Sequence, residues 1–287
     1  MTQLDHFESA FNAANKEVFH VDAVDLKQVF VITDLNKIES EAFAKEVKEF
    51  LEVVGHRNNV EWTLICSEDY DDVGSLLKRV LKEEPSLICT YRNLKNDEYA
   101  YPYSLGAYLN VLIRLANPPV LVLPHPRREH EYHWTEINTD RVMVVTDHLT
   151  GDERIVNWGM RFAETGGQLF LSHIEDDDVL NRYLDIIGKI PQLPTDIAVE
   201  KIGIQLLKEP ADYIDSCKEA IAKKDVDLDV KAVVQMGHKI SDYKKLVEEH
   251  QIDLLVLRSH DDAHEVAMHG MAYTLTVELV HLPMLLI

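Results

Sequence analysis

At 287 residues, 46% hydrophobic and 28% charged, the chain has the composition of a soluble globular protein and is long enough to bury two cores of ordinary size. With 50 acidic against 29 basic residues, its formal charge is −21, which sets the surface against phosphate backbones and anionic lipid and argues against nucleic acid and membrane as partners. Cys66, Cys89 and Cys217 show no metal or redox spacing and read as buried reduced thiols. The start, Met1-Thr-Gln-Leu-Asp-His6, lacks the basic and apolar regions of a signal peptide, and no apolar run reaches the length of a membrane span. The expected compartment is the cytoplasm.

Residues 1–27 carry apolar side chains at Phe7, Phe11, Ala14 and Val18, a spacing that predicts an amphipathic helix on the body of the protein or an arm reaching a second copy. The first strand is Val29-Phe-Val-Ile-Thr-Asp34, and it returns almost letter for letter as Val142-Met-Val-Val-Thr-Asp147. A helical face follows each copy: Phe43, Val47, Phe50, Leu51 and Val54 after the first, Ile155, Gly159, Phe162 and Ala163 after the second. The repeat therefore predicts two units of one design.

The first unit continues with a strand at Trp62–Cys66 and a helix with Val73, Leu76, Leu77, Val80 and Leu81 on one face. A buried strand, Leu87-Ile-Cys-Thr90, then leads into the loop Tyr91-Arg-Asn-Leu94, another helix and the strand Pro119-Val-Leu-Val-Leu123. The linker Pro124-His-Pro-Arg-Arg-Glu-His-Glu-Tyr-His133 marks a boundary. The expected division is an extension at 1–27, a first domain at 28–126, a linker at 127–139 and a second domain at 140–287.

In the second unit Ala232–Gln235 is a strand, and Ile240, Tyr243, Leu246 and Val247 mark a helix with Ser241 near its N-cap. The strand Leu254–Leu257 opens into Arg258-Ser-His-Asp261, and the chain closes with a helix and Pro283-Met-Leu-Leu-Ile287. Between Asp147 and Arg258 lie nearly twice as many positions as between Asp34 and Tyr91. The surplus predicts an extra strand at Gln168–His173, a helix within 211–223 bearing Ile214 and Ile221, and a surface excursion over 175–210. The first unit is correspondingly truncated. Its last strand and that of the second unit are expected to pair antiparallel, covering two apolar edges at once.

An aspartate closing each first strand, Gly237 after a strand, Arg-Ser-His-Asp after Ile-Asp-Leu-Leu-Val-Leu, and Pro-Val-Leu-Val or Pro-Met-Leu-Leu at each end together resemble the universal stress protein family in a tandem arrangement. The resemblance covers nearly all of residues 28–287 and implies an α/β fold of two Rossmann-like domains with parallel sheets, joined as an intramolecular pseudo-dimer, with a homodimer as a further option. The family contains ATP-binding members and members that bind no nucleotide. Members of the first kind carry glycines that open a phosphate loop, and a Gly-Ser or Gly-Thr that starts the next helix. Glycine lets backbone N–H groups approach phosphate with no Cβ in the way.

Here Tyr91 and Arg258 replace the first glycine, and Leu94 and Asp261 the second. Gly106 and Gly270 survive, but Ala107 and Met271 follow them, so the hydroxyl donor is missing twice. Asp34 and Asp147 stand where the resemblance places the nucleoside end of ATP, and each also suits a helix cap. The candidate ligand loop of the second unit comprises Asp147, Arg258, Ser259, His260, Asp261, Gly270 and Met271; that of the first comprises Asp34, Tyr91, Leu94, Gly106 and Ala107. A different option is a metal centre, because His260 and His264 are four apart and could hold zinc or nickel from one helix face. No Gly-x-Ser-x-Gly, Walker loop, Gly-x-Gly-x-x-Gly or Cys-x-x-Cys occurs. The sequence thus predicts a non-catalytic stress-response protein without a cofactor, acting through protein association or a small ligand. The alternatives are ATP binding by the second unit and metal binding through His260 and His264.

Overall fold

Short apolar runs without polar alternation make the strands, as expected where both faces of a sheet are covered by helices. In chain order the elements are β1 (Gln28–Ile32), α1 (Lys37–Phe50), α2 (Glu52–Gly55), β2 (Glu61–Ile65), α3 (Val73–Glu83), β3 (Leu87–Tyr91), α4 (Ala107–Leu115) and β4 (Val120–Leu123). There follow β5 (Arg141–Val145), α5 (Glu153–Phe162), β6 (Gln168–Asp176), α6 (Asp177–Ile187), α7 (Thr195–Lys223), β7 (Asp229–Gly237), α8 (Lys239–Glu249), β8 (Leu254–Leu257), α9 (Gly270–Glu278) and β9 (Met284–Leu286). The structure, a computed structural model, describes residues 17–55, 60–96, 103–126, 138–146, 149–189, 195–259, 268 and 270–287.

The strands form one nine-stranded sheet in the order β2-β1-β3-β4-β9-β8-β5-β6-β7. Every neighbouring pair is parallel except β4 and β9, which run antiparallel in the register Val120↔Leu286, Leu121↔Leu285 and Val122↔Met284. The two terminal apolar strands thus meet as the sequence leads one to expect, and each closes the edge of the other. A single hydrophobic cluster runs the length of this sheet instead of two separate cores. The order on one side of the β4–β9 seam mirrors the other, and β7 lies beyond the mirrored set at an outer edge.

The helices follow from local chemistry. Asn36 caps α1 by accepting the Glu39 N–H at 3.0 Å, and Phe43, Val47 and Phe50 bury one face of it. Each such side chain stabilises the fold by about 1.5–3 kcal/mol relative to exposure. In α5, Gly159 allows a close approach to the sheet, since a Cβ there would meet the Val144 Cγ2 at 2.6 Å. Arg161 on the same helix donates to the Val53 carbonyl at 3.2 Å, tying α5 to α2.

Three expectations need correction. The segment 175–210 is helical for most of its length, and Pro210 lies inside α7 rather than at its start. Tyr213, Ile214, Cys217 and Ile221 are buried beneath that helix, so packing on β6 and β7 outweighs the hydrogen bond lost at proline. Of the N-terminal extension, Phe7, Phe11 and Ala14 lie outside the described residues, and the described part, 17–27, with Val18, is not helical. It is an irregular segment anchored by the buried Phe19 and Leu26. Finally, Tyr91 is the last residue of β3, not the first of a loop.

Candidate functional site

In a parallel sheet, loops that leave adjacent strands toward opposite sides open a crevice between them at the carboxyl ends. From β1 the chain goes to β2 on one side while β3 lies on the other; from β5 it goes to β6 while β8 lies opposite. The two switch points therefore fall between β1 and β3 and between β5 and β8. Asp34 and Tyr91 flank the first, and Arg258 flanks the second.

The first crevice is filled by its own side chains. The Tyr91 hydroxyl donates to Asp34 Oδ1 and accepts the Asp34 N–H at 3.0 Å. Lys95 donates its backbone N–H to Asp34 Oδ2 at 2.8 Å, and its ammonium donates to the carbonyls of Tyr70 at 2.6 Å and Ser67 at 3.2 Å. That ammonium also lies 4.2 Å from the centroid of the Tyr70 ring, whose hydroxyl donates to the Thr33 carbonyl at 2.9 Å. Burial, followed by the Asp34 charge, pushes both tyrosine hydroxyls up, so each stays a neutral donor. Edge contacts with Phe43 and His125, at 5.4 and 4.6 Å between centroids, hold the Tyr91 ring.

The loop beyond is equally closed. Leu94 and Leu105 are fully buried, and the Asn93 N–H donates to the Leu105 carbonyl at 3.0 Å. Gly106 has φ +82, and a Cβ there would lie 2.8 Å from Asn93 Cα. This glycine allows close contact between two loops. Ala107, which follows it, is exposed at the start of α4. Tyr91 and Leu94 thus fill, among the described residues, the space beside Asp34.

The second crevice is built differently. Arg258, just beyond β8, donates to Asp152 Oδ2 at 2.7 Å. Asp152 is nearly buried and caps α5 by accepting the Ile155 N–H at 3.3 Å. Ser259 donates through its N–H and its hydroxyl to the Ile287 carbonyl, at 2.9 and 2.8 Å, which fastens the loop to the chain end. Gly270 opens α9 with none of the described residues near its missing Cβ, while Met271 is buried. Asp147, His260, Asp261 and His264 lie outside the described residues. Among the described residues, no group of three His, Cys, Asp or Glu side chains could hold a metal ion.

Beside the Arg258–Asp152 pair is an open cleft of about 550 Å³. Asp22, Ala23, Val24 and Asp25 of the N-terminal segment form one wall, with Glu153, Arg154, Asn157 and Trp158 of α5 opposite. The segment is fixed there by a ladder: Asp22 N–H to Asn157 Oδ1 at 3.0 Å, Asn157 Nδ2 to the His20 carbonyl at 3.2 Å, and Phe19 N–H to Ser216 Oγ at 3.1 Å. Phe19 is buried edge-on against Tyr213, 6.4 Å between centroids.

Sequence reasoning missed Lys95, Tyr70, Arg154 and the whole N-terminal wall. Only Asp152 left a signal, an aspartate placed to cap the helix bearing Ile155. No helix among the described residues is long and apolar enough to cross a membrane. The cysteines Cys66, Cys89 and Cys217 are buried and unbridged, and burial pushes the Cys217 thiol up to about 12.

No protein-family model matches the chain, and no curated protein matches its sequence. In fold it is similar to a functionally unknown protein from Pseudomonas aeruginosa, with 12% identity and a TM-score of 0.50, covering 91% of this chain and 92% of that one. A universal stress protein from Archaeoglobus fulgidus aligns at 14% identity and a TM-score of 0.47, covering 91% and 85%. The likeness is one of fold.

Proposed function

We propose that this chain is a tandem universal stress protein without catalytic activity, in which neither crevice is a tight ATP site and the protein acts through association or a small ligand. The motifs at Asp34, Asp147, Gly237 and the two Pro-led terminal strands support the family, as does the mirrored strand order about the β4–β9 seam. One observation carries the exclusion of nucleotide: the Tyr91 hydroxyl and the Lys95 N–H together satisfy the Asp34 carboxylate from inside the first crevice. In the second, the Arg258 guanidinium is engaged by a nearly buried carboxylate. A phosphate drawn there would meet the Asp152 carboxylate beside a guanidinium whose charge that carboxylate already balances. Titration calorimetry of the full chain with Mg-ATP should give no heat at micromolar protein. Tight binding by the unmodified chain would overturn the proposal in favour of the ATP-binding branch.

A further inference from the structure

We propose that the cleft beside Arg258 binds a small zwitterion of the α-amino-acid class, its carboxylate on Arg154 and its ammonium on Asp22. This deepens the small-ligand reading above and relies on it only for the site being a ligand site.

The charges lining the cleft divide into those already satisfied and those that are not. Asp152 holds Arg258 at 2.7 Å, Glu153 Oε1 lies 2.7 Å from His20 Nδ1, and Asp25 is 3.4 Å from Lys27. Arg154 on α5 and Asp22 on the facing segment have no ion-pair partner among the described residues. An opposite charge on each wall is therefore left to a ligand. A simple anion or cation would answer one wall only, and a polyphosphate would meet the carboxylates of both walls. A molecule carrying both charges answers the two together. Arg154 sits close enough to Asp152 and Arg258 to be influenced by both: partial burial lowers its basicity most, Asp152 opposes this, and Arg258 adds to it. A carboxylate between the two guanidiniums would relieve that repulsion.

The rest of the lining suits the side chain of such a ligand. Val24, Ala23 and Trp158 give the cleft an apolar portion, and its volume of about 550 Å³ falls within the roughly 300–1,000 Å³ common to small-molecule sites. One wall is the chain's own N-terminal segment, so the cleft exists only while Phe19 and Asn157 keep that segment in place.

Ligand-observed NMR titration of the full chain with L-leucine, N-acetyl-L-leucine and L-leucinamide separates the two charges. Leucine should bind, and each blocked form should bind roughly tenfold more weakly, the equivalent of one lost charged contact. Arg154→Gln should bring leucine down to the level of leucinamide, and Asp22→Asn down to that of the N-acetyl form. Both positions are exposed, so the variants should fold, which circular dichroism checks. No leucine binding at millimolar concentration, equal binding of the blocked forms, or variants that bind like the parent would each overturn the proposal. Mg-ATP in a parallel titration keeps the two readings apart: ATP binding alongside leucine binding sinks the nucleotide exclusion and leaves this site standing, whereas absence of both sinks this site alone.

Discussion

The two switch points occupy equivalent places in one sheet, yet among the described residues one is filled by a buried tyrosine and the other is flanked by a part-exposed arginine beside an open cleft. At the first, a tyrosine at the end of β3 reaches the aspartate after β1, and a lysine covers the pair. At the second, the residue after β8 is an arginine, which turns instead to the cap of α5. A buried aromatic has a neutral hydroxyl that fits inside the crevice. A guanidinium keeps its charge, stays 40% exposed and needs a carboxylate near water. The residue at each of these strand ends thus finds a different partner: Tyr91 the aspartate after β1, Arg258 the cap of α5.

The largest effect should come from Tyr91→Ala, which would empty a fully buried site and strand Asp34. We expect a loss of about 3–5 kcal/mol in urea unfolding. Tyr91→Phe keeps the ring and removes only the hydroxyl, with a loss of about 1–3 kcal/mol. If the two variants cost the same, the crevice is held by its hydrogen bonds and not by its filling. At the second crevice, Asp152→Ala should cost about 1–3 kcal/mol, since it removes a helix cap and a charge partner together. A loss equal to that of Tyr91→Ala would mean that both crevices are core, and the contrast would fail.

The smallest effect tests the opposite end of the β5–β8 pair. Asp253 accepts the Arg141 N–H at 2.9 Å, and burial, opposed by Arg141, raises its carboxyl from 3.8 to about 6. A carboxyl raised in the folded state binds more protons folded than unfolded between these values. Its contribution is therefore fully present below pH 3.8 and is lost as pH rises through about 6. Thermal melts of the parent should show this decline against Asp253→Asn, in which it should be absent; parallel curves for the two proteins would refute the assignment.

Much of the fold could be read from the sequence because it depends on local pattern. The runs Val29–Ile32, Val142–Val145 and Leu254–Leu257 are apolar throughout and became buried parallel strands. The pairing of β4 with β9 followed from two apolar terminal strands needing cover. The helix at 195–209 was hidden because Pro210 marks a helix boundary in sequence, whereas Tyr213, Ile214 and Cys217 pack this helix against the sheet regardless. At the site, the departures from glycine at Tyr91, Leu94 and Arg258 were legible, but what those side chains do was not. Hydrogen bonds such as Tyr91–Asp34 and Arg258–Asp152 join residues 57 and 106 positions apart, and no periodicity reports such distances. The N-terminal wall was the least legible of all. A segment with no regular structure is placed by the sockets it finds, here a buried Phe19 and one asparagine on α5, and those exist only once the sheet has formed.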